Sequence, residues 1–148
     1  KRDGSKYDPV LLNKKSLKEM TLVTSKNHGN AILKELIKKL NIYKVESMGS
    51  IGCKIATILG GESDLYICLS LPGNSSPKDW DFAAPEAVLI NAGGAITNLD
   101  NQELSYGRSN FEQGGIIVAS NNKLVHKKIC LEIKETLEKY NFYRFLEP

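Results

Sequence analysis

Two stretches of this 148-residue chain are apolar at nearly every position, and they limit the fold more than any other feature. Asp64-Leu65-Tyr66-Ile67-Cys68-Leu69 and Gly114-Gly115-Ile116-Ile117-Val118-Ala119-Ser120 lack the polar alternation of a half-exposed strand. A strand that is apolar on both faces must be covered on both faces. The chain carries suitable cover. Ile32, Leu33, Leu36, Ile37 and Leu40 recur at helical spacing, and so do Ile51, Ile55, Ile58 and Leu59, closed by Gly60-Gly61. Leu124, Val125, Ile129, Ile133 and Leu137 form a last amphipathic helix, with Asn121 or Asn122 as its cap. Shorter runs at 21–24, 43–46 and 95–97 read as strands between these helices. Strands alternating with helices predict an α/β layered domain, with a central, mostly parallel mixed sheet flanked by helices.

Composition narrows the class further. At 41% hydrophobic and 25% charged residues the chain reads as globular. No apolar run approaches the ~20 residues of a membrane span, so no membrane partner is expected. The net charge of +3 suits an anionic small molecule but does not argue for nucleic acid. Cys53, Cys68 and Cys130 form no CxxC pair, which predicts reduced thiols and a cytoplasmic setting. His28 and His126 have no metal-ligand spacing; His126, on the last helix, reads as a surface residue. Residues 1–20 are polar apart from Val10-Leu11-Leu12, which reads as a short edge strand.

Ligands of open α/β sheets collect beyond the carboxyl ends of the strands, against helix N-termini. Three polar strand-to-helix junctions qualify: Ser25 to His28, Gly49 to Lys54, and Asp79 to Asp81. If their strands are parallel, all three open on one edge. Gly49-Ser50-Ile51-Gly52-Cys53-Lys54 can present backbone N–H groups and an ammonium to a phosphate. Spacing alone equally describes a glycine turn followed by a solvated lysine. His28 reads as a ligand contact or as a surface-loop residue, and Cys53 as a bystander thiol. In Pro77-Lys78-Asp79-Trp80-Asp81-Phe82-Ala83-Ala84-Pro85-Glu86, either aspartate can cap the helix that runs on to Gly93-Gly94. Pro85 is expected in that helix's first turn, where no intrahelical donor is lost. Local chemistry favours a cap, but a carboxylate at this edge is also a hard oxygen ligand for Mg²⁺.

The run Trp80-Asp81-Phe82-Ala83-Ala84 followed by an apolar helix and Ala92-Gly93-Gly94 resembles the C-terminal signature of the inositol monophosphatase superfamily. Lys78-Asp79-Trp80-Asp81 with Ala84-Pro85-Glu86 is most similar to its 3'(2'),5'-bisphosphate nucleotidase branch, of cyanobacterial type. Met48-Gly49-Ser50-Ile51-Gly52-Cys53-Lys54, Ser25-Lys26-Asn27-His28 and the closing strand 114–120 fit the same branch in order and spacing. The resemblance implies the C-terminal domain of the sugar-phosphatase fold. It implies that Asp81 binds a catalytic Mg²⁺, that Ser25 and His28 contact adenosine, and that Gly49, Ser50 and Lys54 contact the nucleotide or its second phosphate. Trp80 would be a packing residue, and Asn91, where an acidic residue is common, of little consequence. The implied reaction is hydrolysis of adenosine 3',5'-bisphosphate, a small phosphorylated nucleotide, to AMP and phosphate. Inositol monophosphate or fructose 1,6-bisphosphate as substrate, or a non-catalytic nucleotide-binding module, are the alternatives.

The superfamily's D-P-[IL]-D-G-[ST] motif is missing; Tyr7-Asp8-Pro9-Val10-Leu11 is the nearest string. Residues 1–20 are therefore expected to be a remnant of an inter-domain segment and 21–148 a C-terminal domain without its N-terminal catalytic partner. No residue of this chain is then expected to activate the attacking water, and the Mg²⁺ site is expected to be incomplete. A sheet edge and apolar face left uncovered would favour a homo-oligomer.

Overall fold

The computed structural model describes residues 15–26 and 31–145. In chain order the elements are β1 (Thr21–Ser25), α1 (Ala31–Leu40), β2 (Lys44–Met48), α2 (Ile51–Leu59), β3 (Leu65–Ser70), α3 (Asp79–Asn91), β4 (Ala95–Asn98), β5 (Gly115–Ser120) and α4 (Lys123–Lys139). The five strands form one sheet in the order β2-β1-β3-β5-β4. β1 pairs in parallel with β2 and β3, whereas β5 is antiparallel to both β3 and β4. Only β5 therefore runs against the other strands, and the sheet is mixed but mostly parallel.

Alternate residues of β3 enter opposite cores. Leu65, Ile67 and Leu69 join Leu33 and Leu36 of α1 and Ile129 and Ile133 of α4 on one face. Tyr66 and Cys68 join Ile55 and Ile58 of α2 and Phe82 and Leu89 of α3 on the other. β5 divides in the same way, Ile116 and Val118 against Ile117 and Ala119. The result is a three-layer α/β/α domain, and the period of two in the strand is what serves both layers at once. Leu17 and Met20, from the polar opening segment, are buried in the first of these cores. The run 10–12 lies outside the described residues.

The Gly93-Gly94 stop works through two different properties. Gly93 adopts φ +90°, the left-handed conformation that ends α3. At Gly94 the limit is space: a Cβ there would stand 2.6 Å from both a Leu89 methyl carbon and the Ser120 carbonyl oxygen. Asn122, rather than Asn121, caps α4, its side-chain oxygen accepting from the Leu124 N–H at 2.9 Å.

Three expectations are corrected. Pro85 lies inside α3 rather than in its first turn, because the helix begins at Asp79. The proline ring thus removes the amide that would reach back to the Asp81 carbonyl. Trp80 is not a packed residue: its side chain is 65% exposed, with the Phe111 ring 5.9 Å away, centroid to centroid. His126 is not on the surface but 1% exposed. It faces Ser120 Oγ, 2.7 Å from Nδ1, and Thr97 Oγ1, 2.8 Å from Nε2, with Cys130 Sγ at 3.6 Å. The Thr97 hydroxyl donates to the Asn98 carbonyl at 2.7 Å, so it accepts from Nε2–H; the Ser120 hydroxyl, 3.4 Å from the Asn122 carbonyl but 2.7 Å from Nδ1, donates to Nδ1. A neutral imidazole is fully satisfied by this arrangement, which ties α4 to β4 and β5.

Gly94→Ala is expected to destabilise the chain by about 1–3 kcal/mol through overpacking, read as a lower urea midpoint at unchanged slope. Burial pushes the His126 pKa down to about 4, below the ordinary value of about 6.5. The unfolded chain then binds the proton first as pH falls. Stability from this group is fully present above about pH 6.5 and declines below it, by at most about 1.4 kcal/mol per pH unit. Urea titrations between about pH 7.5 and 5 should show that slope, and His126→Gln should remove this component.

Candidate functional site

β1, β2 and β3 run in parallel, so their carboxyl ends share one edge of the sheet. A cavity of about 220 Å³ opens there. Ser25 at the end of β1, Gly49 and Ser50 after β2, Lys54 on the first turn of α2 and Asp81 on the first turn of α3 all line it. Five of the residues singled out in the sequence are therefore brought to one place. His28 lies outside the described residues.

Asp79 and Asp81 divide the tasks that the sequence left undivided. Asp79 is buried; its carboxylate accepts from the Gly107 N–H at 2.7 Å and from Gln113 Nε2 at 2.7 Å. Its own N–H donates to the Phe111 carbonyl, and the Gln113 N–H donates to the Pro77 carbonyl. Together with the Lys78–Glu112 ion pair at 2.8 Å, these bonds fasten the start of α3 to the 105–113 loop. Asp81 sits one side chain further round. Its Oδ2 accepts from the Lys78 N–H at 2.8 Å, as a third-position capping acid does. Among the described residues this is the carboxylate's one hydrogen bond, which leaves Oδ1 for a ligand. The aspartate is thus both the cap and the acid of the cavity.

Lys54 is not the solvated lysine that glycine spacing also allowed. It is 1% exposed, donates from Nζ to the Gly49 carbonyl, and holds its ammonium 5.2 Å from the centroid of the Tyr66 ring. Burial pushes its pKa below the ordinary lysine value, opposed by the negative charge of Asp81. The cavity therefore carries a carboxylate on α3 and a desolvated cation on α2. The N-cap Ser50 makes no side-chain hydrogen bond to α2, so that helix presents its positive end without a capping oxygen. A bound anion finds complementary charge at the α2 side, and a hard cation finds an oxygen at the α3 side.

Tyr66 and Cys68 also line the cavity. No motif announces them; their signal is their i, i+2 spacing on β3, which turns both toward the α2–α3 layer. Cys53 is exposed and the three cysteines are unpaired. Among the described residues no group of three or more His, Cys, Asp and Glu side chains could hold a metal, and no helix is long and apolar enough to cross a membrane. Asp81 on its own fits one position in the oxygen-ligand shell of Mg²⁺.

Comparison with known proteins places this geometry. The family model described as inositol monophosphatase family matches residues 4–138. The 3'(2'),5'-bisphosphate nucleotidase 1 of Mus musculus is 29% identical over 103 residues, covering 68% of this chain and 32% of the mouse protein. The 3'(2'),5'-bisphosphate nucleotidase CysQ of Buchnera aphidicola is 33% identical over 88 residues, covering 60% of this chain and 31% of its own. The chain thus spans about a third of the length of these relatives. In fold it is similar to the crystal structure of inositol monophosphatase II from Staphylococcus aureus, with a TM-score of 0.64 at 21% identity, over 90% of this chain and 47% of that one. The match across residues 4–138 shows that the chain belongs to the inositol monophosphatase family.

Proposed function

We propose that this chain is the C-terminal part of a Mg²⁺-dependent phosphatase of the 3'(2'),5'-bisphosphate nucleotidase type, acting on adenosine 3',5'-bisphosphate. The observation that carries the proposal is the meeting of Asp81 with the buried Lys54 in one cavity. A substrate with a single phosphate at the metal has no need of a second, desolvated cation. A substrate with two phosphates does: the scissile one lies at the Asp81 side and the other at the amino end of α2. The names of the mouse and Buchnera relatives support this choice.

In the reaction, water attacks the 3'-phosphorus, the bond from phosphorus to the 3'-oxygen breaks, and AMP and inorganic phosphate leave. Mg²⁺, when bound, neutralises charge on the phosphoryl oxygens. Asp81 would contribute one carboxylate to its shell; among the described residues no cluster of three or more His, Cys, Asp and Glu side chains would complete it. Lys54, Gly49 and Ser50 fix the second phosphate, and Ser25 and His28 orient the adenosine. Such positioning is what makes a displacement in line. Hydrolysis of inositol monophosphate is the second reading, favoured by the likeness to the Staphylococcus aureus inositol monophosphatase.

Four outcomes test the proposal. Residues 1–148 alone should release no phosphate from adenosine 3',5'-bisphosphate in Mg²⁺, and full turnover by the purified chain would sink the division of labour. In the longer protein, Asp81→Asn should lower kcat by about 100-fold or more, the scale of losing one electrostatic contributor, with little change in Tm. Asp79→Asn should do the reverse, costing about 1–3 kcal/mol of stability because one of two buried donors loses its acceptor. Side-by-side hydrolysis of the bisphosphate, inositol monophosphate and fructose 1,6-bisphosphate by the longer protein decides the substrate; preference for inositol monophosphate would replace the first reading by the second.

A further inference from the structure

We infer that Tyr66 is a positioning residue of this cavity, its hydroxyl fixing the side chain of Ser25 in the orientation that meets a ligand. That the ligand is the nucleoside part of a bisphosphorylated nucleotide rests on the function proposed above; the hold of Tyr66 on Ser25 does not.

The need for such a hold comes from the sheet. β1 is paired with β2 along its whole length, up to Ser25 with Met48. With β3 it is paired at Leu22–Leu65 and Val23–Tyr66 and not beyond. Past Val23 the two strands part, and the cavity opens where they do: Ser25 from β1 and Tyr66, Cys68 and Ser70 from β3 all line it. Among the described residues no ladder pair therefore sets Ser25 against β3. A short side chain at the end of a strand has several staggered wells open to it, so something else must choose one.

Tyr66 supplies what the backbone does not. Val23 faces the α2–α3 layer, so Ser25, two residues further along the strand, faces the same way. The Tyr66 hydroxyl is hydrogen-bonded to the Ser25 side chain and to Cys68. Cys68 in turn holds its Sγ 3.9 Å from Ser70 Oγ. The phenol oxygen is thus tied along β3 on one side and across to β1 on the other. The tyrosine that carries it is fully buried, with the Lys54 ammonium over its ring, 5.2 Å from the centroid. An enclosed ring of this kind is a rigid post. It has no need to reach the ligand itself, because Ser25 is half-buried and carries the contact. Packing alone does not call for the oxygen: phenylalanine would fill the same space without desolvating a hydroxyl.

Tyr66→Phe removes only the oxygen and leaves the ring beneath Lys54. In ligand-free residues 1–148, the Hα–Hβ couplings of Ser25 measured by NMR should report one rotamer. In Tyr66→Phe they should report an average over rotamers. One rotamer in both proteins, or averaging in both, would overturn the inference. Isothermal titration of adenosine 3',5'-bisphosphate without Mg²⁺ then reads the consequence for binding. Tyr66→Phe should weaken binding by about three- to tenfold, the scale of one neutral hydrogen bond, and should cause no further loss in a Ser25→Ala background. No loss at all, or an equal loss with and without Ser25, would also overturn the inference, because a packing role does not depend on the serine. If the unaltered chain does not bind the bisphosphate while its Ser25 rotamer depends on Tyr66, the positioning role stands and the nucleotide reading alone fails.

Discussion

The burial of β3 on both faces is the constraint on which the rest of the molecule depends. All six of its residues are buried, so neither helical layer can be removed without exposing a row of large side chains to water. Leu65, Ile67 and Leu69 hold α1 and α4; Tyr66 and Cys68 hold α2 and α3. The order of pairing follows. β1 lies parallel beside β3 and β5 antiparallel on its other side, so the parallel half of the sheet ends on one edge. The amino ends of α2 and α3 are set down at that edge, and with them Lys54 and Asp81.

The cavity is polarised because the two helices bring different chemistry to it. α3 arrives with acids at its start, as helix dipoles prefer. α2 arrives without an acid in its first turn and with a lysine instead. A lysine there opposes the dipole and is desolvated as well, an arrangement unfavourable in isolation and relieved by an anion. Groups that weaken the empty fold and would strengthen a liganded one are a common mark of a binding site. His126 is the contrasting case. It is as deeply buried as Lys54, yet Ser120 and Thr97 satisfy both of its nitrogens, so it serves the packing of α4 and not a ligand.

Periodicity made most of the fold legible. Strands read as buried on both faces did require a double layer, and the helices sit where their spacing puts them. The parallel junctions at Ser25, Gly49 and Asp81 could be picked out because polar residues interrupt apolar runs at the ends of strands. The burial of Lys54 could not, since glycine spacing describes a solvated lysine just as well. Nor could the exposure of Trp80, whose neighbours in the chain form the start of a helix with its packed face turned elsewhere. His126 stands between Val125 and Lys127, and adjacent residues say nothing about which side of a helix meets the sheet.

By itself the sequence determined the layers, the one edge on which polar junctions gather, and the family signature around Asp81, because these depend on local pattern and spacing. The tertiary structure alone decided the partners of the groups that gather there. It assigned Asp79 to the 105–113 loop and Asp81 to the cavity, although both stand at the same helix start. It placed the Lys54 ammonium over the Tyr66 ring. The physical reason is that hydrogen bonds and desolvation are settled between segments far apart in the chain, at distances that sequence spacing does not encode.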